Sequence, residues 1–214
     1  MNMRKIMAGV LVSLAAYLCS GCIDVYQHIT RSPQGIEHNT LKITVSKLLL
    51  AMANGMSDTA LDYDAWLEAN SGSMDIQAYE SLKARIEKVN DELDLGYVIT
   101  MNLDYTDTQS KDILSKGMDF IPLYTPQYTE IHITALSDDE DTETNEMALA
   151  FLSTGKYRLS ISKTCISTLK QVLMAAESEG FTEIACLDMG DAYLIEIPIR
   201  SFFTKDIWIR LYSV

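Results

Sequence analysis

The sequence predicts an α+β fold: a mostly antiparallel sheet with helices packed on it, opened by an N-terminal hairpin and interrupted by a helical insert. Three observations lead there. In Tyr97–Tyr105 the residues Tyr97, Ile99, Met101, Leu103 and Tyr105 share one face and Thr100, Asn102 and Asp104 the other, which is the period of a strand. In Asp75–Asp94 the residues Ile76, Tyr79, Leu82, Ile86, Val89 and Leu93 recur at helical spacing, and Ile166, Leu169, Val172 and Leu173 do so in Thr164–Glu179. Finally, strands and helices come in runs without strict alternation, which favours antiparallel pairing over βαβ units.

The elements follow in order. Ile23–Thr30 alternates Ile23, Val25 and Ile29 with Asp24, Tyr26, His28 and Thr30, and reads as a strand. Ser32-Pro33-Gln34-Gly35 is a turn, and Ile36–Ser46 returns with Leu41, Ile43 and Val45 on one face, completing a hairpin. Lys47–Ala53 favours helix and stops near Asn54-Gly55. Ser57-Asp58 can cap a second helix that runs through Ala69. The helix over Asp75–Asp94 is the longest, about 30 Å, and Gly96 is read as closing it.

A short helix is expected after Tyr105, ending at Gly117. Pro122 and Pro126 then confine the chain to loop or edge strand, and Thr129–Ala135 is the next strand. Six acids crowd Ser137–Glu146, which reads as a solvated acidic loop. Met147–Leu152 and Lys156–Ser162 flank Ser153-Thr154-Gly155 as a second hairpin. The Thr164–Glu179 helix ends at Gly180. Strands over Thr182–Asp188 and Ala192–Ile199 flank Met189-Gly190-Asp191, and Ile207–Tyr212 is the last strand. No internal repeat is visible.

The N-terminus has a different character. Arg4-Lys5 precedes the apolar run Ile6–Leu18, which is 13 residues long. Crossing a bilayer takes roughly 20 residues, so this run reads as a signal segment and is excluded from the fold. Leu18-Cys19-Ser20-Gly21-Cys22 resembles the lipobox of bacterial lipoproteins, with Cys19 where another residue is usual. The resemblance implies cleavage before Cys22 and lipidation of its sulfur; the remaining residues, 22–214, have the length of a single domain. Asp24 lies one place beyond the position at which Asp typically retains such proteins in the inner membrane, so in a diderm cell the outer membrane is expected. Each buried methylene contributes about 0.8 kcal/mol, and stable anchoring takes at least two chains. Because the first strand begins beside Cys22, the domain is expected to sit close to the bilayer.

Removing residues 1–21 leaves 193 of the 214, enough for one core. It also removes Arg4 and Lys5, so the net charge moves from −13 to −15. Such a chain is repelled by nucleic acid and anionic head groups, which excludes nucleic acid as a partner. Of four cysteines, Cys19 leaves with the signal and Cys22 takes the lipid. Cys165 and Cys186 are then either a disulfide, worth roughly 3 kcal/mol in the chain-entropy account, or two core thiols.

The hairpin, with Leu41-Lys42-Ile43-Thr44-Val45-Ser46-Lys47 running from strand to helix, and the closing Tyr193-Leu194-Ile195-Glu196-Ile197-Pro198-Ile199 resemble the LppM-type lipoprotein domain. The resemblance implies an α+β envelope lipoprotein and brings no catalytic residue with it.

Chemistry is sparse. His28, His38 and His132 show no HExxH or paired spacing, there is no CxxC, and no GxSxG occurs. The acidic loop lacks the order of an EF-hand, and Asp62, Asp64 and Glu68 read as a solvated helix face. Neither a metal nor a cofactor is expected, and no enzymatic activity. The expected function is a lipid-anchored, non-catalytic binding or structural module of the cell envelope, its partner an envelope protein or lipid. The alternative is a carrier of a lipid or other apolar ligand, suggested by Met52, Met56, Met74, Met101, Met118, Met147, Met174 and Met189. A large apolar cavity would favour the carrier; a filled core would favour the binding module.

Overall fold

A computed structural model of the chain describes residues 23–53, 62–70, 76–107, 114, 118–135 and 155–213. Their architecture corrects the expected fold class. Instead of helices packed on one sheet, two sheets of seven and five strands face each other, and only three short α-helices lie among the described residues.

The larger sheet begins with β1 (Ile23–Arg31) and β2 (Glu37–Ser46), the expected antiparallel hairpin, with Arg31 opposite Glu37 and Ile23 opposite Val45. Gly35 closes the turn at φ +86°, a conformation that suits a residue without Cβ. The chain then enters α1 (Lys47–Ala53) and α2 (Tyr63–Asn70). Asp62 starts α2: its Oδ1 accepts the backbone N–H groups of Asp64 and Ala65, both at 3.1 Å. The expected cap at Ser57-Asp58 lies outside the described residues.

The predicted Asp75–Asp94 helix is the first large departure. Helix α3 spans only Ile76–Ser81, and the chain turns into β3 (Arg85–Asn90) and β4 (Asp94–Leu103). Lys83, at φ +58°, ends the helix. Its N–H bonds the Glu80 carbonyl at 2.9 Å and the Ala84 N–H bonds that of Tyr79 at 3.1 Å, the paired bonds of a Schellman stop. Because the left-handed residue is Lys, no glycine marked the end. Ile86 and Val89 fit a strand as well as a helix, and pairing of Arg85–Asn90 with β4 decides between them. Gly96 is therefore not a helix cap. It sits mid-strand between Thr44 and Val89, and a Cβ there would lie 2.0 Å from the Ile43 carbonyl oxygen.

The smaller sheet takes β5 (Leu123–Tyr124), an edge strand as Pro122 and Pro126 suggest, and β6 (Thr129–Ile133). β7 (Lys156–Ser162) returns to the larger sheet and pairs with β1 in parallel. The Thr164–Glu179 helix is the second departure. Its centre is β8 (Leu169–Ala176), held between β12 and β9 in the smaller sheet. Leu, Lys, Gln, Met and Ala favour helix intrinsically, but a weak local preference yields to two neighbouring strands. The single strand expected over Thr182–Asp188 is divided: β9 (Thr182–Glu183) joins the smaller sheet and β10 (Cys186–Asp188) the larger. β11 (Ala192–Pro198), a 3-10 turn over Ile199–Phe202, and β12 (Ile207–Ser213) complete the chain. Of the helix expected before Gly117 only Leu114 is described, and it is helical; the acidic segment 137–146 and the strand at 147–152 lie outside the described residues.

The strand orders are β10-β11-β7-β1-β2-β4-β3 and β5-β6-β12-β8-β9. The core lies between the sheets. Val25, Ile29, Leu41, Ile99, Met101, Leu159, Ile161, Ile195 and Ile197 from the larger sheet join Ile131, Ile133, Val172, Ile207, Ile209 and Leu211 from the smaller in one cluster. Sheets packed face to face bury their core in this way, with inward and outward side chains alternating.

Candidate functional site

Polar residues at inward positions of β1 and β2 build the most unusual part of this core. Gln27, Glu37 and Asn39 carry no exposed surface, although their strand neighbours on the same face are apolar. Gln27 Nε2 donates to Asn39 Oδ1 at 3.0 Å and to the Phe120 carbonyl, and the Tyr157 hydroxyl donates to Gln27 Oε1. Asn39 Nδ2 reaches the same Phe120 carbonyl at 3.4 Å. Phe120 adopts φ +63°, and its N–H bonds the His132 carbonyl of β6. The two sheets are thus tied through polar groups as well as by apolar contact. Such a network is stabilising only when every member is paired, as here.

Where β1 ends and β2 begins, the network becomes charged. Arg31 approaches Glu37 at 3.5 Å and stacks over the Tyr124 ring, 4.6 Å from its centroid. Glu37 accepts the hydroxyls of Tyr124 and, at 3.1 Å, Tyr105. Burial raises the Glu37 pKa above the usual carboxylate value, against the opposing pull of both tyrosines and Arg31. The guanidinium is part-exposed, so its attraction does not offset the lost hydration of the carboxylate. The Tyr105 hydroxyl also lies 3.0 Å from the Pro122 carbonyl. It has one proton for two acceptors, so when Glu37 is protonated it can donate to Tyr105 while Tyr105 donates to Pro122; the Arg31 Nε, buried beside them, has no hydrogen-bond partner.

The neighbouring groups are quiet. Burial, then the negative charge of Glu37, raises the pKa values of Tyr105 and Tyr124, which therefore act as donors. The same two causes push the Cys165 thiol up to about 11, so it remains protonated and unreactive at neutral pH. Cys165 and Cys186, the candidates for a disulfide, are both free thiols in the structure. Burial and Asp188 raise the Cys186 pKa as well.

The three histidines sit on outward faces. His28 Nδ1 is 3.0 Å from Ser160 Oγ, and His38 meets Asn102. His132 lies between Asp119 at 3.4 Å and Asp206 at 3.2 Å, stacked on Trp208. Asp64 and Glu68 bond Asn90 and Lys88 of β3, at 3.2 and 3.3 Å. Among the described residues no group of three or more His, Cys, Asp or Glu is arranged to hold a metal ion. An open groove of about 620 Å³ runs where β8 and β9 pass β10 and β11, lined by Thr168, Val172, Ile184, Cys186, Asp188 and Tyr193 among others.

The opposite end of the larger sheet is where β1 starts. Ile23 begins the strand directly after Cys22, which lies outside the described residues. β1 is the central strand of seven. Leu49 of α1 packs on Ile23 and Val45, and Leu50 joins Leu67, Leu95 and Tyr97. Leu48, between them and Lys47, is left 54% exposed. Beside it the β3–β4 turn presents Leu93, 73% exposed. No helix among the described residues is long and apolar enough to cross a membrane.

The buried polar residues had a sequence signal. Gln27 has the parity of Val25 and Ile29, and Glu37 and Asn39 that of Leu41 and Ile43. A polar side chain at an inward position is the mark of such a network.

Comparison with known proteins adds little. No family profile matches the chain, and no curated protein does. A solved structure that aligns with it is the folded domain of the Mycobacterium tuberculosis LppM protein, determined by NMR. It shares 9% identity, with 90% of this chain and 91% of that one covered, at a TM-score of 0.39. That likeness is too slight to fix fold or function.

Proposed function

We propose that the protein is a lipid-anchored module of the bacterial cell envelope, without catalytic chemistry, that holds a binding surface for an envelope protein or lipid close to its membrane. The observation that supports this most is the junction at Ile23: the residue after the lipobox cysteine already belongs to the central strand of the larger sheet. Acyl chains on Cys22 would be coupled to the rigid core without a tether. The leader and the Ser20-Gly21-Cys22 sequence support the lipid anchor, and the position of Asp24 supports an outer-membrane location in a diderm cell.

The titratable core groups, Glu37, Tyr105, Tyr124 and Cys165, are bonded to one another or held protonated. A carrier is less well supported. Met101 is buried in the core and Met118 and Met174 pack against it, filling space that a ligand would need. The groove by β8–β11 is rimmed by Lys170, Gln171, Glu183 and Asp188.

The test is Cys22→Ala in cells. Loss of acyl labelling, with release from the membrane fraction or retention of the leader, is expected. Unchanged labelling and detergent partitioning would refute the anchor.

A further inference from the structure

We infer that Leu48 and Leu93 enter the interfacial layer of the membrane that carries the anchor, so that this end of the sandwich is seated in the bilayer surface rather than hung beneath it. The inference deepens the lipid-anchored reading and rests on it. Its occupant is fixed by covalent geometry: Cys22 is one residue, about 3.8 Å between Cα atoms, from Ile23. Any acyl chain on Cys22 leaves from the end of the sheet where Ile23 lies.

Both leucines are placed at that end by backbone bonds. Ile23 pairs with Val45 and Ser46 with Asp94, so β1, β2 and β4 reach the same level. The Lys47 N–H donates to the Leu93 carbonyl at 2.8 Å, which joins α1 to the β3–β4 turn. Leu48 precedes Leu49, whose side chain rests on Ile23. Single exposed leucines are ordinary on a protein surface. Here two of them, including the most exposed large apolar residue described, stand where the lipid must leave.

The turn is built to present Leu93. Asp91 Oδ1 accepts the N–H groups of Leu93 and Asp94, at 2.9 and 2.8 Å, which fixes the backbone of the turn. Asp94 faces Lys42 at 4.0 Å. On the outer face nearby, Arg158 bridges Asp24 and Glu196, and Lys156 bonds Glu196 at 2.8 Å. Exposed Glu92 stands next to Leu93, the other charges of this end are mostly paired, and there is no basic surplus. The contact is therefore apolar, of the kind an interfacial segment makes with the head-group and acyl boundary, and does not call for anionic lipid.

The experiment uses the full, processed chain in vesicles of zwitterionic phosphatidylcholine. Leu93→Trp and Leu48→Trp are compared with Met189→Trp, which lies 61% exposed beyond Asp188, at the other end of the sheet. Emission is read with and without acyl-brominated lipid, against the baseline of Trp66 and Trp208. Trp at 93 and 48 should shift to the blue and lose intensity with brominated lipid, while Trp at 189 matches the parent. If the protein floats with vesicles but positions 93 and 48 are quenched no more than 189, the inference fails and the anchor stands. If it does not float, both fail.

Discussion

At the end of the larger sheet where β1 finishes, polar groups are taken inside and, apart from the Arg31 Nε, paired; at the end where β1 begins, apolar side chains are left outside. The first end holds Arg31, Glu37, Tyr105 and Tyr124 in one closed cluster, with the Arg31 N–H bonded to Thr164 Oγ1 at 2.9 Å. The second ends in α1 and the β3–β4 turn, which expose Leu48 and Leu93. The difference separates two tasks. Burying polar groups is costly unless all are paired, so the closed end carries structural specificity and tolerates little change. An exposed leucine adds nothing to the fold, so the open end is free to serve contact.

The open end still contains the position most intolerant of substitution, because its backbone is tightly packed. Gly96→Ala would place a Cβ 2.0 Å from the Ile43 carbonyl oxygen and 2.8 Å from Thr44 Cα, both backbone atoms of the neighbouring strand. Neither can move without parting β2 from β4. A loss of about 3 kcal/mol or more is expected, the size reserved for overpacking and backbone strain. Chemical denaturation checks it, and a loss below about 1 kcal/mol would mean that the strands separate easily there.

The closed network should respond next. Tyr157→Phe removes the hydroxyl that donates to Gln27 Oε1 and leaves that oxygen buried without a donor. The ring's contacts with Phe120 and Phe202 remain. An unsatisfied buried acceptor costs about 1–3 kcal/mol. Replacing outward-facing Tyr26 by Phe should cost far less, and equal losses at the two sites would break the distinction drawn between inward and outward polar groups.

Glu37 gives a smaller effect with a definite sign. Its folded pKa is raised, so folding favours the protonated form. Its contribution is complete below the unfolded carboxylate pKa, near 4.3, and is lost as pH rises through the folded value. Glu37→Gln keeps a neutral group that can donate to Tyr105 while Tyr105 donates to Pro122. The stability of the parent minus that of the variant should therefore fall between about pH 4 and the folded pKa. Urea midpoints across that range measure it. A difference that rises with pH would mean that Arg31 outweighs burial and that the cluster is an ordinary ion pair.

How much of this was legible follows from the same contrast. β1–β2, β4, β6, β11 and β12 announce themselves because their apolar residues alternate and their turns hold Gly, Pro or Asp. α1 is legible from its Leu and Ala. Arg85–Asn90 and Leu169–Ala176 are not, since Ile86 and Val89, or Leu169 and Val172, stand three apart, a spacing that marks one face of a helix and falls on opposite faces of a strand. Lys83 stops α3 by adopting a conformation that composition does not reveal. Gly96 was visible, but its purpose was a close strand approach. The Ile184-Ala185 crossing that divides β9 from β10 depends on which sheet has room, and no local pattern carries that.

The smallest effect on stability is expected from the most telling change. Inserting about 20 Gly/Ser residues between Cys22 and Ile23 touches no buried group, and unconstrained insertions of this kind alter folding free energy little. The denaturation midpoint of the full chain should not move. The membrane contact should. A flexible linker of that length has a root-mean-square span of about 25 Å, so the sheet end would visit the bilayer instead of being held against it. Quenching of Trp at position 93 should fall toward that at position 189, with flotation unchanged. If quenching at 93 survives the linker, the leucines bind the surface by themselves and the tether serves only for delivery. If stability drops, the Cys22–Ile23 junction belongs to the fold, and the open end is as structural as the closed one.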